Sequence, residues 1–284
     1  MIAIIGKSGQ LAWELKRLEP ENCVCLGRDD IDVLDAEDIK TKLDALSPSA
    51  VINASAYTAV DKAETDESAA EALNVTAVKN LAAYCQRNGL QLVHCSTDYV
   101  FNGEKGAPYK VDDSIEPQGV YGKTKADGEK ALMKTLADSF TIIRTSWVYS
   151  SHGNNFVKTM LRLMREKPGL TVIDDQIGSP TWAKGLAQAC LEAIEKNIVG
   201  TFHWSDEGVC SWYDFALAIQ QLGMEKGLLS TVIPVSPIPT QAYPTPAKRP
   251  HYSVLDKTLT REKFSSSGLS HWRQQLSDMM NELK

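Results

Sequence analysis

Five short apolar runs, each followed by a helix-like pattern, occupy the first half of this 284-residue chain. The runs lie at residues 2–5, 23–26, 50–53, 90–95 and 140–144, and they lack the polar alternation of a half-exposed strand. Such runs are typical of strands that are buried on both faces of a parallel sheet. Strands that alternate with helices predict an α/β fold with helices on both faces of that sheet.

The turn after the first run has the spacing Gly-x-x-Gly-x-x-Ala, from Gly6 through Gly9 to Ala12. Glycines at a strand-to-helix turn let the backbone approach a pyrophosphate, which then rests on the helix N-terminus. The spacing departs from Gly-x-Gly-x-x-Gly, but the strand before it and the helix after it favour a dinucleotide site over an ordinary turn. The fold class predicted is therefore a doubly wound, Rossmann-type parallel sheet.

The second apolar run ends at Gly27 and Arg28. In a dinucleotide fold this point faces the adenosine ribose, where an acidic residue binds a 2′-hydroxyl and an arginine accommodates a 2′-phosphate. Arg28 therefore favours NADPH, whereas the neighbouring Asp29 and Asp30 leave NADH open. The small residues 54–60 follow the third run, at the carboxyl edge where doubly wound sheets hold ligands.

The character of the sequence changes after Tyr149. A polar loop at 150–155 precedes an amphipathic helix over 156–165, and residues 230–250 contain six prolines, which exclude regular helix there. We predict a dinucleotide-binding domain over 1–150 and a smaller C-terminal substrate-binding lobe over 151–284. Residues 170–198 could rejoin the first domain. A strand is expected at Thr171–Ile173, as one more strand of the sheet, and a helix is expected at 182–196.

Tyr121 and Lys125 have the spacing Tyr-x-x-x-Lys. On a helix, positions i and i+4 lie on one face. A phenol has an ordinary pKa of ~10, and a fixed ammonium beside it favours the phenolate. A carbonyl reductase needs such a group to deliver a proton to an oxyanion as a hydride reaches carbon. An exposed helix face with an extended lysine would give the same spacing.

Charge and cysteine usage restrict the environment of the protein. The net charge of -6 argues against non-specific binding to nucleic acid or to an anionic membrane surface. No targeting segment or membrane-length apolar run is visible. The six cysteines are scattered without a Cys-x-x-Cys pair, which indicates free thiols in a reducing cytoplasm.

Several longer motifs resemble the extended short-chain dehydrogenase/reductase family, and within it the dTDP-4-dehydrorhamnose reductases. Residues 53–64, 96–103, 117–125 and 144–149 carry the resemblance in the first half of the chain. Residues 175–181, 200–205, 211–215 and 249–250 carry it in the second half. The match runs nearly end to end, and it depends on the order of the motifs rather than on any one of them.

The resemblance implies NADPH- or NADH-dependent reduction of the 4-keto group of a dTDP-linked 6-deoxysugar to give dTDP-L-rhamnose. Tyr121 would donate the proton, Lys125 would hold the nicotinamide ribose, and Thr97 would bind the substrate carbonyl and the growing oxyanion. Asp98 and Trp147 would contact the sugar, and Asn155 and Arg249 are candidate diphosphate contacts, although a structural ion pair is the commoner use of such an arginine.

The candidate cofactor-binding residues form one set that joins the turn, the second strand end, the third strand end and the Tyr-Lys pair. They are Gly6, Gly9, Gln10, Leu11, Arg28, Asp32, Val33, Ala54, Ser55, Ala56, Thr58, Tyr121 and Lys125. Some members of the family bind Mg²⁺ at a dimer contact, but no metal-ligand spacing here requires it. The protein is expected to form a homodimer. No metal site is predicted.

Two other functional interpretations of the sequence remain open. A nucleotide-sugar epimerase or dehydratase of the same fold would need further acid or base residues beside Thr97, and it would retain NAD⁺. A non-catalytic regulator, like the relatives that serve as regulatory subunits of a methionine adenosyltransferase, could keep the same motif without turnover.

Overall fold

A computed structural model describes residues 1–265 and 269–283. Its centre is a six-stranded sheet in the order β10-β5-β4-β3-β1-β2, and all neighbouring strands are parallel. These strands are β1 (Ile2–Ile5), β2 (Cys23–Leu26), β3 (Ala50–Asn53), β4 (Gln91–Thr97), β5 (Phe140–Thr145) and β10 (Gly200–Trp204). The five predicted strands and the doubly wound α/β class are confirmed.

The order of the strands reverses between β1 and β3, which are neighbours in the sheet but not in sequence. Ile5 pairs with Asn53 at this point, so the carboxyl ends of the two strands lie side by side. Open α/β sheets bind ligands in the crevice beyond such a reversal. The glycine turn and the small residues after β3 therefore meet at one edge of the sheet.

Helices cover both faces of the sheet. The helices of the first part are α1 (Gln10–Leu18), α2 (Ala36–Leu46), α3 (Val60–Ala63), α4 (Glu67–Glu71), α5 (Ala77–Asn88) and α6 (Val120–Thr135). One apolar cluster lies between the sheet and α1, and it includes Ile4, Leu15 and Val93. A second cluster lies beneath α2 and α5, and it includes Ile39 and Leu81.

The charged, helix-like pattern over residues 61–86 predicts one long helix, but the structure shows that this helix is not continuous. The segment is divided into α3, α4, a π-helical turn at Ala72–Thr76 and α5, which ends at Gly89 in the left-handed conformation (φ 62°). Asn74 lies in the π turn, where its amide oxygen accepts from the Tyr57 backbone N–H (2.9 Å) and its nitrogen donates to Thr124 (3.0 Å). These bonds anchor the segment in a register that periodicity alone does not predict.

The remaining elements are α7 (Phe156–Glu166), α8 (Ala183–Glu195), α9 (Trp212–Glu225), α10 (Thr258–Lys263) and α11 (Trp272–Asn281), with short strands between them. The short strands are β6 (Val148–Tyr149), β7 (Leu170–Ile173), β8 (Ile177–Gly178), β9 (Thr181–Trp182), β11 (Cys210–Ser211) and β12 (Val235–Ile238). A separate apolar core between α7, α9 and α11 includes Leu161, Phe215 and Leu276. We call the elements packed around this core the second lobe.

The expectation that Thr171–Ile173 extends the central sheet is wrong. The strand β7 pairs with β12 in a two-stranded sheet of the second lobe. The place beside β5 is taken by β10, which the sequence analysis did not identify as a strand. The predicted helix over 182–196 is present as α8, and its residues Leu186 and Cys190 pack in the cluster that joins α1 to the sheet.

All six cysteines are free thiols. Among the residues that the structure describes, no helix has both the length and the apolar character to cross a membrane.

Candidate active site

A cleft of about 310 Å³ opens beyond the carboxyl ends of β1, β2 and β3. Eight of the thirteen candidate cofactor residues line it: Gly6, Gly9, Arg28, Val33, Ala54, Ser55, Ala56 and Thr58. Several further lining residues were not predicted as cofactor contacts, including Lys7, Ser8, Ile31 and Leu73. Lys7 and Ser8 lie between the two glycines, so the turn itself was the signal for them.

Gly6 shapes the floor of this cleft. Its φ of 120° is a conformation that side-chain-bearing residues rarely adopt, and a Cβ there would lie 3.3 Å from the carbonyl group of Ala54. Gly9 is the N-cap of α1, and a Cβ on it would meet no atom within 4 Å. The turn therefore offers open space in front of a helix N-terminus, which suits a pyrophosphate.

Arg28 lies at the rim of the cleft with an exposed side chain. It makes no hydrogen bond or ion pair with any part of the chain described by the structure. The nearby Asp30 is engaged differently, because its carboxylate accepts from Lys7 Nζ (3.1 Å) and from the Gly27 backbone N–H (2.8 Å). The uncommitted guanidinium fits a 2′-phosphate, and the residues present thus fit NADPH.

The candidates outside the cleft have structural partners. Gln10 donates weakly to the Val148 carbonyl (3.4 Å), Leu11 is buried in the cluster beneath α1, and the Asp32 carboxylate accepts from the Leu34 backbone N–H (2.9 Å). Their predicted contacts with a cofactor remain predictions.

Tyr121 lies in the first turn of α6, where its ring packs edge-on against Tyr99 at 5.5 Å between centroids. The adjacent Gly122 permits this position, since a Cβ there would lie 2.2 Å from the Tyr99 carbonyl oxygen. Burial raises the pKa of Tyr121 to about 12, a hydrogen bond with Thr97 acts to lower it, and the charge of Asp98 acts to raise it. The expected lowering by Lys125 is absent because burial dominates and the lysine amine has other partners.

Lys125 lies one turn further along α6 and is 2% exposed. Its Nζ donates to the Cys95 carbonyl oxygen at 2.6 Å and lies 3.4 Å from His94 Nε2. Burial lowers the pKa of Lys125 to about 8, although the Cys95 and Glu129 charges act to raise it. Tyr121 and Lys125 therefore share one helix face, and both face the end of β4.

Thr97 ends β4 and occupies the same face of the site as Tyr121. Its hydroxyl donates to Asp98 Oδ1 (3.0 Å) and accepts from the Tyr99 backbone N–H (3.2 Å). Asp98 is 3% exposed. Burial raises the pKa of Asp98 to about 6, whereas hydrogen bonds with Ser253 and Thr97 act to lower it. A phenol, a hydroxyl and a buried carboxyl thus converge at the end of β4, the neighbour of β3, and the residues after β3 line the cleft.

A family model, "RmlD substrate binding domain", matches residues 1–284. The chain belongs to the RmlD family. The dTDP-4-dehydrorhamnose reductase of Aggregatibacter actinomycetemcomitans is 40% identical over 288 residues, which cover 98% of this chain and 97% of that protein. The dTDP-4-keto-6-deoxy-D-glucose reductase of Streptomyces niveus is 35% identical, with 95% of this chain and 92% of that protein covered.

Solved structures agree with this assignment. The dTDP-4-dehydrorhamnose reductase of Bacillus anthracis, in complex with NADP, is 31% identical with a TM-score of 0.92, covering 99% of this chain and 98% of that one.

In this RmlD-family chain, Trp147 stands out by its backbone. Its φ of 49° is unusual for a residue with a side chain, and such strain tends to occur at binding sites. The indole stacks on Trp212 with 3.5 Å between ring centroids and an interplanar angle of 9°. Gly178 leaves room for it, since a Cβ there would lie 2.8 Å from the Trp147 ring. The fold therefore fixes this indole at the inner edge of the second lobe.

The two candidate diphosphate residues of the RmlD-family chain are engaged within the protein. Asn155 caps α7 by accepting from the Lys158 backbone N–H (3.1 Å), and its amide nitrogen donates to Gln10 Oε1 (2.9 Å). Arg249 forms a two-pronged ion pair with Asp61, at 2.9 and 2.7 Å. Their diphosphate roles remain predictions. To bind a diphosphate, each side chain would have to share its present partners with the ligand or release them.

Sequence reasoning missed Asn53, Asn74 and His94. Asn53 and His94 are both fully buried, and they oppose each other on β3 and β4. A histidine in the middle of an otherwise apolar strand was the available signal for His94. The described part of the chain contains no group of three or more His, Cys, Asp or Glu residues that could hold a metal ion.

Proposed function

We propose that this protein reduces the 4-keto group of dTDP-4-dehydro-L-rhamnose to give dTDP-L-rhamnose, with NADPH as the preferred reductant and NADH accepted. The observation that carries the proposal is the convergence of Tyr121, Lys125 and Thr97 at the end of β4, beside the glycine-turn cleft. The names of the full-length relatives support the choice of a dTDP-linked keto-sugar.

The cofactor, when bound, supplies a hydride to the carbonyl carbon of the sugar. The backbone of residues 6–9 and the N-terminus of α1 would hold its pyrophosphate, Arg28 a 2′-phosphate, and the residues after β3 its middle. Gln10, Leu11, Asp32 and Val33 would complete the binding set, and Lys125 would hold the nicotinamide ribose.

The side chains of the site supply the proton and the electrostatic support. A phenol with a pKa of about 12 is fully protonated at neutral pH, so Tyr121 is available as the proton donor to the oxyanion. Thr97 would donate to the same oxygen, which requires its hydroxyl to turn away from Asp98. Asp98 and Trp147 would orient the sugar, and Asn155 and Arg249 would meet the diphosphate.

The test of this proposal is a spectrophotometric assay of NADPH oxidation against a panel of dTDP-keto-sugars. The panel should include dTDP-4-dehydro-L-rhamnose and dTDP-4-keto-6-deoxy-D-glucose, since relatives with both names exist. We expect turnover with the first sugar at the highest kcat/KM. Retained NAD⁺ without net NADPH consumption would instead indicate an epimerase or dehydratase, and co-purification with an unrelated synthetase without turnover would indicate a regulator.

Tyr121→Phe should lower kcat by at least about 10²-fold, the usual contribution of a positioned general acid, with NADPH affinity near that of the wild type. Tyr84→Phe is a matched control, because the Tyr84 hydroxyl bonds to Asp44 on the outer helices, at 3.0 Å. We expect the control to keep full activity. Full activity of Tyr121→Phe would place the proton donor elsewhere.

We also propose that the enzyme works in the cytoplasm, where its free thiols stay reduced, and that it assembles as a homodimer. Size-exclusion chromatography with light scattering measures the assembly directly.

A further inference from the structure

A line of buried polar groups runs through the sheet from the cofactor cleft to Lys125. Ser55, which lines the cleft, donates to Asn53 Oδ1 from both its backbone N–H (3.1 Å) and its hydroxyl (2.7 Å). Asn53 Nδ2 lies 3.1 Å from His94 Nδ1, and His94 Nε2 lies 3.4 Å from Lys125 Nζ. Bulk water does not share these contacts, because Asn53, His94 and Lys125 are each at most 2% exposed.

The two bonds from Ser55 fix the orientation of the Asn53 amide. A backbone N–H can only donate, so the amide oxygen of Asn53 faces Ser55 and the amide nitrogen faces His94. That nitrogen can also only donate, and His94 Nδ1 must therefore be the acceptor. A neutral imidazole carries one ring proton, which the network thus assigns to Nε2.

His94 is neutral, because its Nδ1 accepts from Asn53 and because burial holds its pKa well below the usual range. Its Nε2–H therefore points at the lysine nitrogen. An ammonium group has no lone pair with which to accept that proton, whereas a neutral amine has one. The amine can at the same time donate to the Cys95 carbonyl oxygen, at 2.6 Å. The geometry around Nζ thus suits an amine better than an ammonium.

We propose that His94 is a positioning residue for Lys125: in the tautomer fixed by Asn53, it donates from Nε2 to Lys125 Nζ and so favours the uncharged lysine before the cofactor binds. The proposal rests on the proposed function for the role of Lys125 toward the cofactor.

Other ionisable groups near Lys125 do not replace His94 in this role. On α6 these are Tyr121 and Glu129, and the Glu129 carboxylate is paired with Arg144 of β5 at 2.7 Å. On β4 and just after it these are Cys95 and Asp98. Within the described chain, the imidazole of His94 is the side chain within hydrogen-bond distance of Nζ.

The tautomer can be observed directly, without substrate or cofactor. In ¹⁵N-histidine-labelled protein, side-chain NMR should show one of the five histidines as a neutral Nε2–H tautomer that does not titrate above pH 5. The His94→Gln variant assigns that signal by its loss. A neutral Nδ1–H tautomer or a charged imidazole at His94 would overturn the proposal.

Asn53→Asp reverses the tautomer with little change in shape. A carboxylate accepts from Nδ1–H, which leaves the Nε2 lone pair facing Lys125 and favours the ammonium. Asn281→Asp is the matched control, because it adds the same charge at an exposed site and keeps the acceptor for Lys226, at 2.7 Å. We expect the NMR tautomer to change in Asn53→Asp and to stay unchanged in the control.

The charge of Lys125 can be followed through NADPH affinity as a function of pH, by fluorescence titration without sugar. In the wild type, affinity should fall as pH rises through about 8, where Lys125 loses its proton. In Asn53→Asp the midpoint of this decrease in affinity should shift to a pH about one unit higher. At a pH well above the midpoint, the variant would then have roughly tenfold more charged lysine than the wild type. A merely structural role would weaken binding at every pH without moving the profile.

The double variant separates the tautomer from the added charge. In Asn53→Asp/His94→Gln, the upward shift should largely disappear if His94 transmits it, whereas a direct coulombic effect of the new carboxylate would persist. Persistence of the shift would overturn the proposal. If the predicted tautomer and pH shift are observed but the wild-type protein does not reduce the sugar, only the proposed function is contradicted.

Discussion

Burial governs the ionisable side chains of this site. The pKa of Tyr121 is raised to about 12, that of Asp98 is raised to about 6, and that of Lys125 is lowered to about 8. Each change disfavours the charged form, as expected for groups removed from water. The tyrosine is thereby kept as a proton donor, which suits reduction. The sequence predicted Tyr121 as the donor, but it could not show that the lysine amine has partners other than the phenol.

Asp98→Asn should remove a pH-dependent cost of folding. Because the pKa of Asp98 is raised from 3.8 to about 6, the folded protein binds the proton more tightly than the unfolded chain. The contribution of Asp98 to stability is therefore lost as pH rises through this window. Relative to the wild type, the variant should gain up to roughly 3 kcal/mol between pH 4 and pH 7. Denaturant unfolding at both pH values measures the change, and a pH-independent difference would contradict it.

At the level of elements, close backbone approaches around α6 position Tyr121 and Lys125, the proposed catalytic pair. A Cβ at Gly122 would lie 2.2 Å from the Tyr99 carbonyl oxygen, and one at Gly128 would lie 2.0 Å from the Asn74 carbonyl oxygen. Both glycines lie within the helix, where glycine is otherwise unfavourable. Their use indicates that α6 must pack directly on the π turn and on the segment after β4.

Gly122→Ala should move Tyr121 away from Thr97, because backbone atoms of Tyr99 would be displaced. We expect a loss of about 1–3 kcal/mol in unfolding free energy, typical of overpacking. Displacement of Tyr121 should also lower kcat by about tenfold or more. Thermal unfolding and steady-state kinetics measure the two effects. The control is Gly169→Ala, where a Cβ would lie an ordinary 3.4 Å from the Pro234 carbonyl oxygen. Equal stability of the two variants would refute the close-approach argument.

The sequence predicted those elements that follow from local pattern. The strands of the first half have continuous apolar runs, and α2 has an acidic N-cap, Asp35, which accepts from the Glu37 and Asp38 backbone N–H groups. The π turn was not predictable, because Asn74 acts through distant partners on Tyr57 and Thr124. Similarly, β10 has polar residues in a buried strand, and the His203 imidazole finds its partner, the Asp256 carbonyl oxygen, 53 residues away.

At the level of the whole molecule, the chain passes repeatedly between the central sheet and the second lobe. It leaves the sheet after β5, returns with α8 and β10, leaves again for α9, and returns with α10, which packs on β10. We propose on this basis that residues 183–205 belong with the dinucleotide-binding domain, rather than that the domain ends at residue 150. The sequence predicted that residues 170–198 could rejoin the first domain, but it did not predict the return of β10 and α10, because β10 has polar residues in a buried strand.

Asp206 lies at the junction of the two parts. Its carboxylate accepts from the Tyr149 hydroxyl (3.2 Å) and from the Trp182 backbone N–H (3.0 Å), both of which belong to short strands of the second lobe. Burial raises the pKa of Asp206 to about 8, although these bonds act to lower it. A fully buried carboxyl with such partners ties the end of β10 to the second lobe.

A fragment of residues 1–150 should not fold by itself. It lacks α8, β10 and Phe264, which cover the apolar face beneath α1. Exposure of that face would remove the burial on which the small sheet depends. We expect no cooperative thermal transition by circular dichroism and rapid digestion by protease, in contrast to the full chain. A sharp transition in the fragment would show that the sheet is self-sufficient.

This interleaving limits how such an enzyme can be re-engineered or diversified by recombination. One splice between two continuous gene segments cannot exchange the second lobe as a unit. Any functional chimaera would have to exchange several separated stretches in concert. Point changes around Trp147, the proposed sugar contact, are a simpler route to new substrates.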